Sequence, residues 1–152
     1  MRAFTLIELL ITIGIVAVLS VIGFINLTGY RERQSVELAG QGIAAVLRDA
    51  QNRSISQDSG ARWGVHFENP SGLSGFYELF SGVSYSTGVV LQRANLPSNV
   101  IFNQPSSGAS TTIIFSPVAG FPGSSTTVII SAIGNQSVSS TIIVNTNGEV
   151  QY

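Results

Sequence analysis

Cysteine is absent from the 152-residue sequence, and His66 is its single histidine. Without thiols the chain can form neither a disulfide nor a thiolate metal site, and one histidine without a second histidine or a cysteine is a poor metal ligand set. The sequence also has no Gly-x-Ser-x-Gly motif, the turn that presents a catalytic serine. We therefore expect no catalytic residues, no metal site and no bound cofactor.

Lysine is also absent, and charged residues make up only 10% of the chain, against about 25% in a typical soluble domain. All seven basic residues are arginines, and only Arg62 and Arg93 follow Arg53. The C-terminal stretch, residues 146–152, contains Glu149 and no basic residue. Because nucleic-acid binding depends on basic side chains that displace phosphate counterions, this distribution argues against a nucleic-acid partner.

One long apolar run stands out, from Phe4 to Leu27. Its roughly 24 residues, at about 1.5 Å each in a helix, exceed the ~30 Å hydrocarbon thickness of a bilayer. A secretory signal peptide would have a shorter apolar core of about 7–15 residues, followed by a small-residue cleavage site. The run therefore predicts a transmembrane helix.

Glu8 lies inside this apolar run, where a carboxylate costs on the order of 2.5–3.5 kcal/mol on membrane-insertion scales. No basic residue lies between Phe4 and Tyr30 to pair with it. Two interpretations follow from the residues alone. Either Glu8 lies at the headgroup boundary, close to the start of the span, or it is paired with a cation of another chain.

The residues at the start of the span carry a resemblance to a known family. The run Phe4 to Leu10, FTLIELL, follows a short leader that contains Arg2. It resembles the cleavage and methylation motif of type IV prepilins and type II secretion pseudopilins. The family more often has Gly where this chain has Ala3.

The resemblance implies a processing and assembly pathway. It implies cleavage between Ala3 and Phe4 by a membrane prepilin peptidase, N-methylation of Phe4, and assembly into a filament through Phe4, Thr5 and Glu8. In this family the carboxylate that matches Glu8 pairs with the N-terminal ammonium of a neighbouring subunit. Such a pair would supply the cation that the span itself lacks.

Residues 30–59 continue the helix as an amphipathic segment. Apolar residues recur there at steps of three and four, which predicts one stripe that faces a core. The stripe is formed by Val36, Ala39, Ile43, Val46, Leu47 and Ala50. Together with the span it predicts one helix of roughly 50 residues, about 75 Å long, with Gly60 as a stop signal.

Residues 60–152 have the pattern of a β-rich head. Seven runs predict strands, namely 62–68, 76–80, 89–93, 100–103, 111–115, 127–130 and 141–144. The last three begin with similar Ser/Thr-rich segments about 15 residues apart, which predicts successive antiparallel strands in a meander. Asn147-Gly148 predicts a tight hairpin before a closing strand.

Alternation within these runs predicts which side chains are buried. In residues 62–68, Trp63, Val65 and Phe67 alternate with the polar residues, so we expect His66 to face solvent. Ten aromatic residues follow position 60, and at strand spacing we expect at least about seven of them to lie in the core.

The predicted fold class is α+β and pilin-like, a long N-terminal helix packed on a C-terminal antiparallel β-sheet head. Residues 1–3 form the leader, 4–29 the transmembrane and assembly helix, 30–59 its amphipathic continuation and 60–152 the head. The run Ala44 to Asp58, followed by Trp63-Gly64-Val65, also resembles the GspH/FimT group of minor pilins.

These resemblances imply a structural subunit of a type IV pilus or of a type II secretion pseudopilus. Its partners would be other pilin or pseudopilin subunits, the prepilin peptidase, the inner-membrane assembly machinery and, before assembly, the lipid bilayer. It would reside in the inner membrane as a single-pass protein and then in an extracellular or periplasmic filament. Two alternatives stay open: a DNA-uptake or adhesin-type pilin, and a membrane-anchored β domain that does not assemble.

Overall fold

The computed structural model describes residues 4–152, and within the helix it leaves out the side chains of residues 22–28. The predicted leader, with Ala3 of the predicted cleavage site, lies outside the described residues. One helix of 50 residues, α1 (Leu6–Ile55), precedes eight strands. The strands form two four-stranded antiparallel sheets, and the amphipathic part of α1 packs against them. This confirms the predicted α+β class and the single long helix.

All seven strands predicted from the sequence are present, with their ends shifted by a few residues. Their bounds are β1 Trp63–Asn69, β2 Phe76–Ser81, β3 Val89–Asn95, β4 Val100–Gln104, β5 Ala109–Phe115, β6 Thr126–Ala132 and β7 Ser139–Val144, with β8 at Val150–Gln151. The first sheet has the strand order β3-β2-β1-β5 and the second the order β4-β6-β7-β8.

The predicted meander of the last three Ser/Thr-rich strands is wrong. β6 pairs with β7 as expected, but β5 pairs with β1 in the other sheet. The connection between β5 and β6 contains Pro117 and Pro122 and two left-handed residues, Val118 and Gly120, both with φ of 65°. It therefore turns the chain from one sheet to the other. Period-two patterning identifies a strand, but it does not identify the strand's partner.

The core lies between the inner faces of the two sheets and the amphipathic stripe of α1. Phe67 of β1 and Phe102 of β4 meet there edge to face, with ring centroids 6.1 Å apart, so aromatic packing joins the two sheets. The predicted helix stripe is buried as expected, apart from Val46, which is half-buried. Seven aromatic residues of the head are buried, the expected number: Trp63, Phe67, Phe76, Tyr77, Phe80, Phe102 and Phe115. Five of them belong to this core, whereas Phe76 and Phe80 are buried on the outer face of the first sheet.

The end of α1 is fixed to the first sheet by a buried hydroxyl. Ser54 is fully buried, and its Oγ accepts a hydrogen bond from the backbone N–H of Trp63 at 2.9 Å. The same hydroxyl lies 3.3 Å from the carbonyl oxygen of Phe115, to which it donates. The helix ends one residue later, and Gln57 follows in the left-handed conformation. This contact holds α1, β1 and β5 together at one end of the head.

Close approach of α1 to the second sheet depends on Gly40. An added Cβ at this position would lie 2.9 Å from Oγ of Ser140 in β7.

At the C-terminus the predicted hairpin is present, and Gly148 supplies its left-handed residue with φ of 83°. Asn147 does not adopt a positive φ, so the turn is not the mirror-image type that the dipeptide favours.

The prediction that His66 faces solvent is wrong. His66 points away from the core, as the alternation requires, but the loop between β2 and β3 folds back over this face of the sheet. The Tyr85 ring stacks on the His66 ring with centroids 3.7 Å apart, and Nδ1 of His66 lies 2.7 Å from Oγ1 of Thr112. His66 is only 6% exposed. Burial lowers the pKa of His66, against the opposing effect of the nearby Glu68 and Glu78 carboxylates.

This environment predicts that the protein loses stability at mildly acidic pH. Because the folded-state pKa of His66 lies below the ordinary value of 6.5, the unfolded chain binds the proton more tightly. The stabilising contribution is therefore complete above about pH 6.5 and is lost as pH falls through the lower folded-state pKa. The urea unfolding midpoint of the wild type should therefore be lower at about pH 5 than at about pH 7.5.

His66→Gln is the control, because it keeps a polar side chain that does not titrate. The pH-dependent fall in the midpoint should shrink in this variant. An equal fall in the wild type and in His66→Gln would assign the pH dependence to the carboxylates and contradict the prediction.

Candidate assembly site

The start of α1 brings two of the predicted site residues together. Thr5 is the N-cap, with an extended backbone (φ −83°, ψ 151°), and its Oγ1 accepts a hydrogen bond from the backbone N–H of Glu8 at 3.3 Å. Thr5 therefore begins the helix, with Glu8 in its first turn. The signal for this role was present in the sequence as Thr-x-x-Glu ahead of an apolar run, which is the pattern of a capping box. Sequence reasoning assigned Thr5 to assembly and missed its capping role.

Glu8 is exposed and lies at the positive end of the helix macrodipole, where a carboxylate is favourable. Among the residues that the structure describes, no basic group lies within ion-pair distance of Glu8. Phe4 precedes the cap and is 77% exposed. The structure therefore places Phe4 just before the helix, Thr5 at its cap and Glu8 in its first turn, while Ala3 lies outside the described residues.

Large apolar side chains cover every side of the following helical turns. Each of them is at least half exposed, and they are Leu6, Ile7, Leu9, Leu10, Ile11, Ile13, Ile15, Val16, Val18, Leu19 and Val21. A helix that is apolar all round normally lies inside a protein core, an assembly or a membrane. Contiguous exposed apolar surface of this kind marks an interaction site.

The hydroxyls on this segment do not interrupt its apolar character. Oγ1 of Thr12 donates to the carbonyl oxygen of Leu9 at 2.8 Å, and Oγ of Ser20 donates to that of Val16 at 2.7 Å. Both side chains therefore satisfy their donors within their own helix. Glu8 is the one charged residue in the stretch 4–21, so it is the group there that most needs an external partner.

Among the described residues, no helix has the combination of length and apolarity needed to cross a membrane. Nor do these residues contain a cluster of three or more His, Cys, Asp or Glu side chains that could hold a metal ion. On the outer face of the first sheet, the side chains of His66, Glu78, Tyr85, Arg93 and Thr112 contact one another. Tyr85 donates a hydrogen bond to Glu78, which raises the pKa of Tyr85 to about 12, and Arg93 lies 3.4 Å from the same carboxylate.

No protein-family model and no curated protein matches the sequence. Two crystal structures of the Pseudomonas aeruginosa type IV minor pilin FimU do match the fold, in space groups P65 and P21. They give TM-scores of 0.53 and 0.57 at 15% sequence identity, and the matches cover 76% and 80% of this chain and 90% of FimU. The chain therefore has the fold of a type IV minor pilin. The finer likeness to the GspH/FimT group stays a prediction.

Proposed function

We propose that this chain is a structural subunit, of the minor-pilin or pseudopilin kind, that assembles into a filament through the first half of α1. The observation that carries the proposal is the exposed apolar helix that continues without a break into the core of a folded head. The two halves of α1 have different surroundings. The second half is buried against two sheets, while the described side chains of the first half lack such a cover.

Cleavage between Ala3 and Phe4 would convert this end of the helix into an assembly site. It would create an ammonium group at Phe4, next to Thr5 and within a turn of Glu8. That ammonium lies at the positive end of its own helix dipole, so a carboxylate from elsewhere would stabilise it. Pairing with Glu8 of a neighbouring subunit would neutralise both charges in a filament core of low dielectric constant, where an unpaired charge is costly. N-methylation at Phe4 retains the positive charge.

Before assembly the protein would reside in the inner membrane. The length and apolarity of the sequence from Phe4 to Leu27 support this part of the proposal. Its function would be packing rather than catalysis, with other pilin-like subunits, the prepilin peptidase and the assembly machinery as partners. The domain boundaries proposed from the sequence would then separate the leader (1–3), the assembly segment (4–29), the amphipathic continuation of the helix (30–59) and the head (60–152).

Dependence on prepilin peptidase tests this function. In cells with the peptidase, we expect the mature chain, expressed from the full-length gene, to appear in sheared extracellular filaments or, for a pseudopilus, in surface-sheared material after overproduction of the filament. In cells that lack it, the chain should accumulate in membranes as a precursor. Equal amounts of the chain in sheared material with and without the peptidase would reject the proposal.

A further inference from the structure

The first sheet has two open edges, β3 and β5, and each is a strand of seven residues. A sheet edge presents backbone N–H and C=O groups that can pair with another strand. Within the described chain, the outer edge of β5 has one bridge, between Phe115 and Pro122, at the end of the strand. The opposite edge, β3, pairs with β2 only. Both edges are therefore available to a second chain along most of their length.

Outward charges are a common protection of edge strands, and each edge of the first sheet has one arginine nearby. On β3 the side chain of Arg93 is 53% exposed, but its guanidinium leans back over its own sheet, 3.5 Å from the Phe76 ring centroid and 3.4 Å from Oε1 of Glu78. β5 itself contains no charged residue, and Arg62 lies beside its edge. A register shift in the β2–β3 pairing near Leu91 further limits indiscriminate pairing without covering the strand.

The exposed side chains of β3 are chemically compatible with the groove beside β5. Val89, Val90 and Leu91 of β3 are all exposed. At the β5 edge lies an open groove of about 440 Å³. Apolar side chains and hydroxyls line most of this groove, including Thr112, Ile114, Phe121 and Thr126, and Arg62 lies in its wall. Such a lining can accept the aliphatic side chains of β3.

Strand direction makes the two edges compatible in a filament. Every neighbouring pair in the first sheet is antiparallel, so β3 and β5, at opposite ends of a four-stranded sheet, run in opposite directions. When two heads stand side by side in the same orientation, β3 of one therefore meets β5 of the other in antiparallel fashion. Assembly through parallel N-terminal helices imposes this common orientation.

We propose that β3 of one copy of this chain pairs with β5 of a neighbouring copy and extends the first sheet from head to head. The inference rests on the proposed assembly function and adds to it a contact between heads. The contact is heterologous, since it joins two different surfaces, and such contacts propagate along a helical filament rather than closing a dimer.

The contact depends on the helices for its strength. One pair of seven-residue strands buries far less than the ~1,200 Å² of a stable specific interface. Tethering through α1 raises the local concentration of one edge at the other, so that a weak contact becomes occupied. Occupancy of the β3–β5 contact is therefore expected in assembled subunits.

Cysteine pairs in the full-length chain test the proposal, because the natural chain has no cysteine. Val90→Cys is combined in turn with Ser110→Cys, Thr112→Cys and Ile114→Cys, which all lie on the same face of the first sheet as Val90 by strand register. Within one chain these positions are three strand spacings apart, about 14 Å, which is beyond the reach of a disulfide. Any disulfide therefore joins two copies.

Val90→Cys with Thr111→Cys is the matched control, because Thr111 is adjacent in sequence but faces the opposite side of the sheet. After mild oxidation of sheared filaments, at least one test pair should give disulfide-linked multimers at about ten times the control level or more. Filaments that contain the variants but give multimers only at the control level would overturn the β3–β5 contact and leave the assembly function intact. Absence of the wild-type chain from filaments would overturn both.

Discussion

Replacement of Glu8 by Ala should lower the amount of this chain in sheared filaments by more than about tenfold, because breaking a buried ion pair costs about 3–5 kcal/mol and 1.4 kcal/mol corresponds to a factor of ten. The variant would leave the N-terminal ammonium of a neighbouring subunit without its partner in the filament core. Removal of a carboxylate from the apolar run makes insertion into a bilayer easier. The amount of Glu8→Ala in the membrane fraction should therefore match that of the wild type.

Two further variants make this experiment specific. Glu8→Gln keeps the shape of the side chain and one acceptor oxygen but removes its charge, so it should assemble almost as poorly as Glu8→Ala. Glu37→Ala removes an exposed carboxylate farther along α1, outside the assembly segment, and should assemble at the wild-type level. If Glu8→Ala appeared in sheared filaments at wild-type levels, the chain would be anchored or packed without the proposed ion pair.

Removal of one buried aromatic ring should strongly destabilise the head. Phe67 is fully buried and contacts Tyr77 and Phe102, so it contributes to the packing of both sheets. Phe67→Ala should lower the free energy of unfolding by about 3–5 kcal/mol, the usual cost of removing a buried aromatic ring. Because domains are stable by only about 5–15 kcal/mol, this loss removes a large fraction of the total stability and should lower the denaturant midpoint markedly.

Denaturant unfolding of the full-length protein in detergent, followed by tryptophan fluorescence, measures this loss. The single tryptophan, Trp63, is buried on the same face of β1 as Phe67 and belongs to the same core, so its fluorescence reports on the unfolding of that core. Phe121→Ala is the matched control, because this ring is 52% exposed and its removal should cost less than about 1 kcal/mol. Similar losses in the two variants would contradict the assignment of Phe67 to the centre of the core.

Periodicity predicted the elements of this fold well, because each element buries one face. The stripe of apolar residues along α1 and the alternation in β1 both correspond to buried surfaces in the structure. The prediction for His66 failed for a different reason. Alternation shows which face of a strand a residue occupies, but it does not show that the loop carrying Tyr85 covers that face. A polar residue on the outer face can therefore be buried.

The sequence patterns also did not predict the order of the strands in the sheets. The three similar Ser/Thr-rich segments predicted neighbouring strands, whereas the chain between β5 and β6 passes to the second sheet. The open edges β3 and β5 follow from that strand order, so the proposed contact between heads depends on the structure. The proposed assembly site, in contrast, depends on a few neighbouring residues, and its assignment to Phe4, Thr5 and Glu8 rests on the sequence resemblance and stays a prediction.

The mass of the N-terminal peptide, measured on the chain recovered from sheared filaments, is the most direct test of assembly through Phe4 and Glu8. We expect a mature chain that begins at Phe4 with a methylated amino group, since cleavage after Ala3 creates the ammonium proposed to pair with Glu8. A chain that enters filaments with Met1, Arg2 and Ala3 still attached would contradict this expectation, because no ammonium would then lie at Phe4.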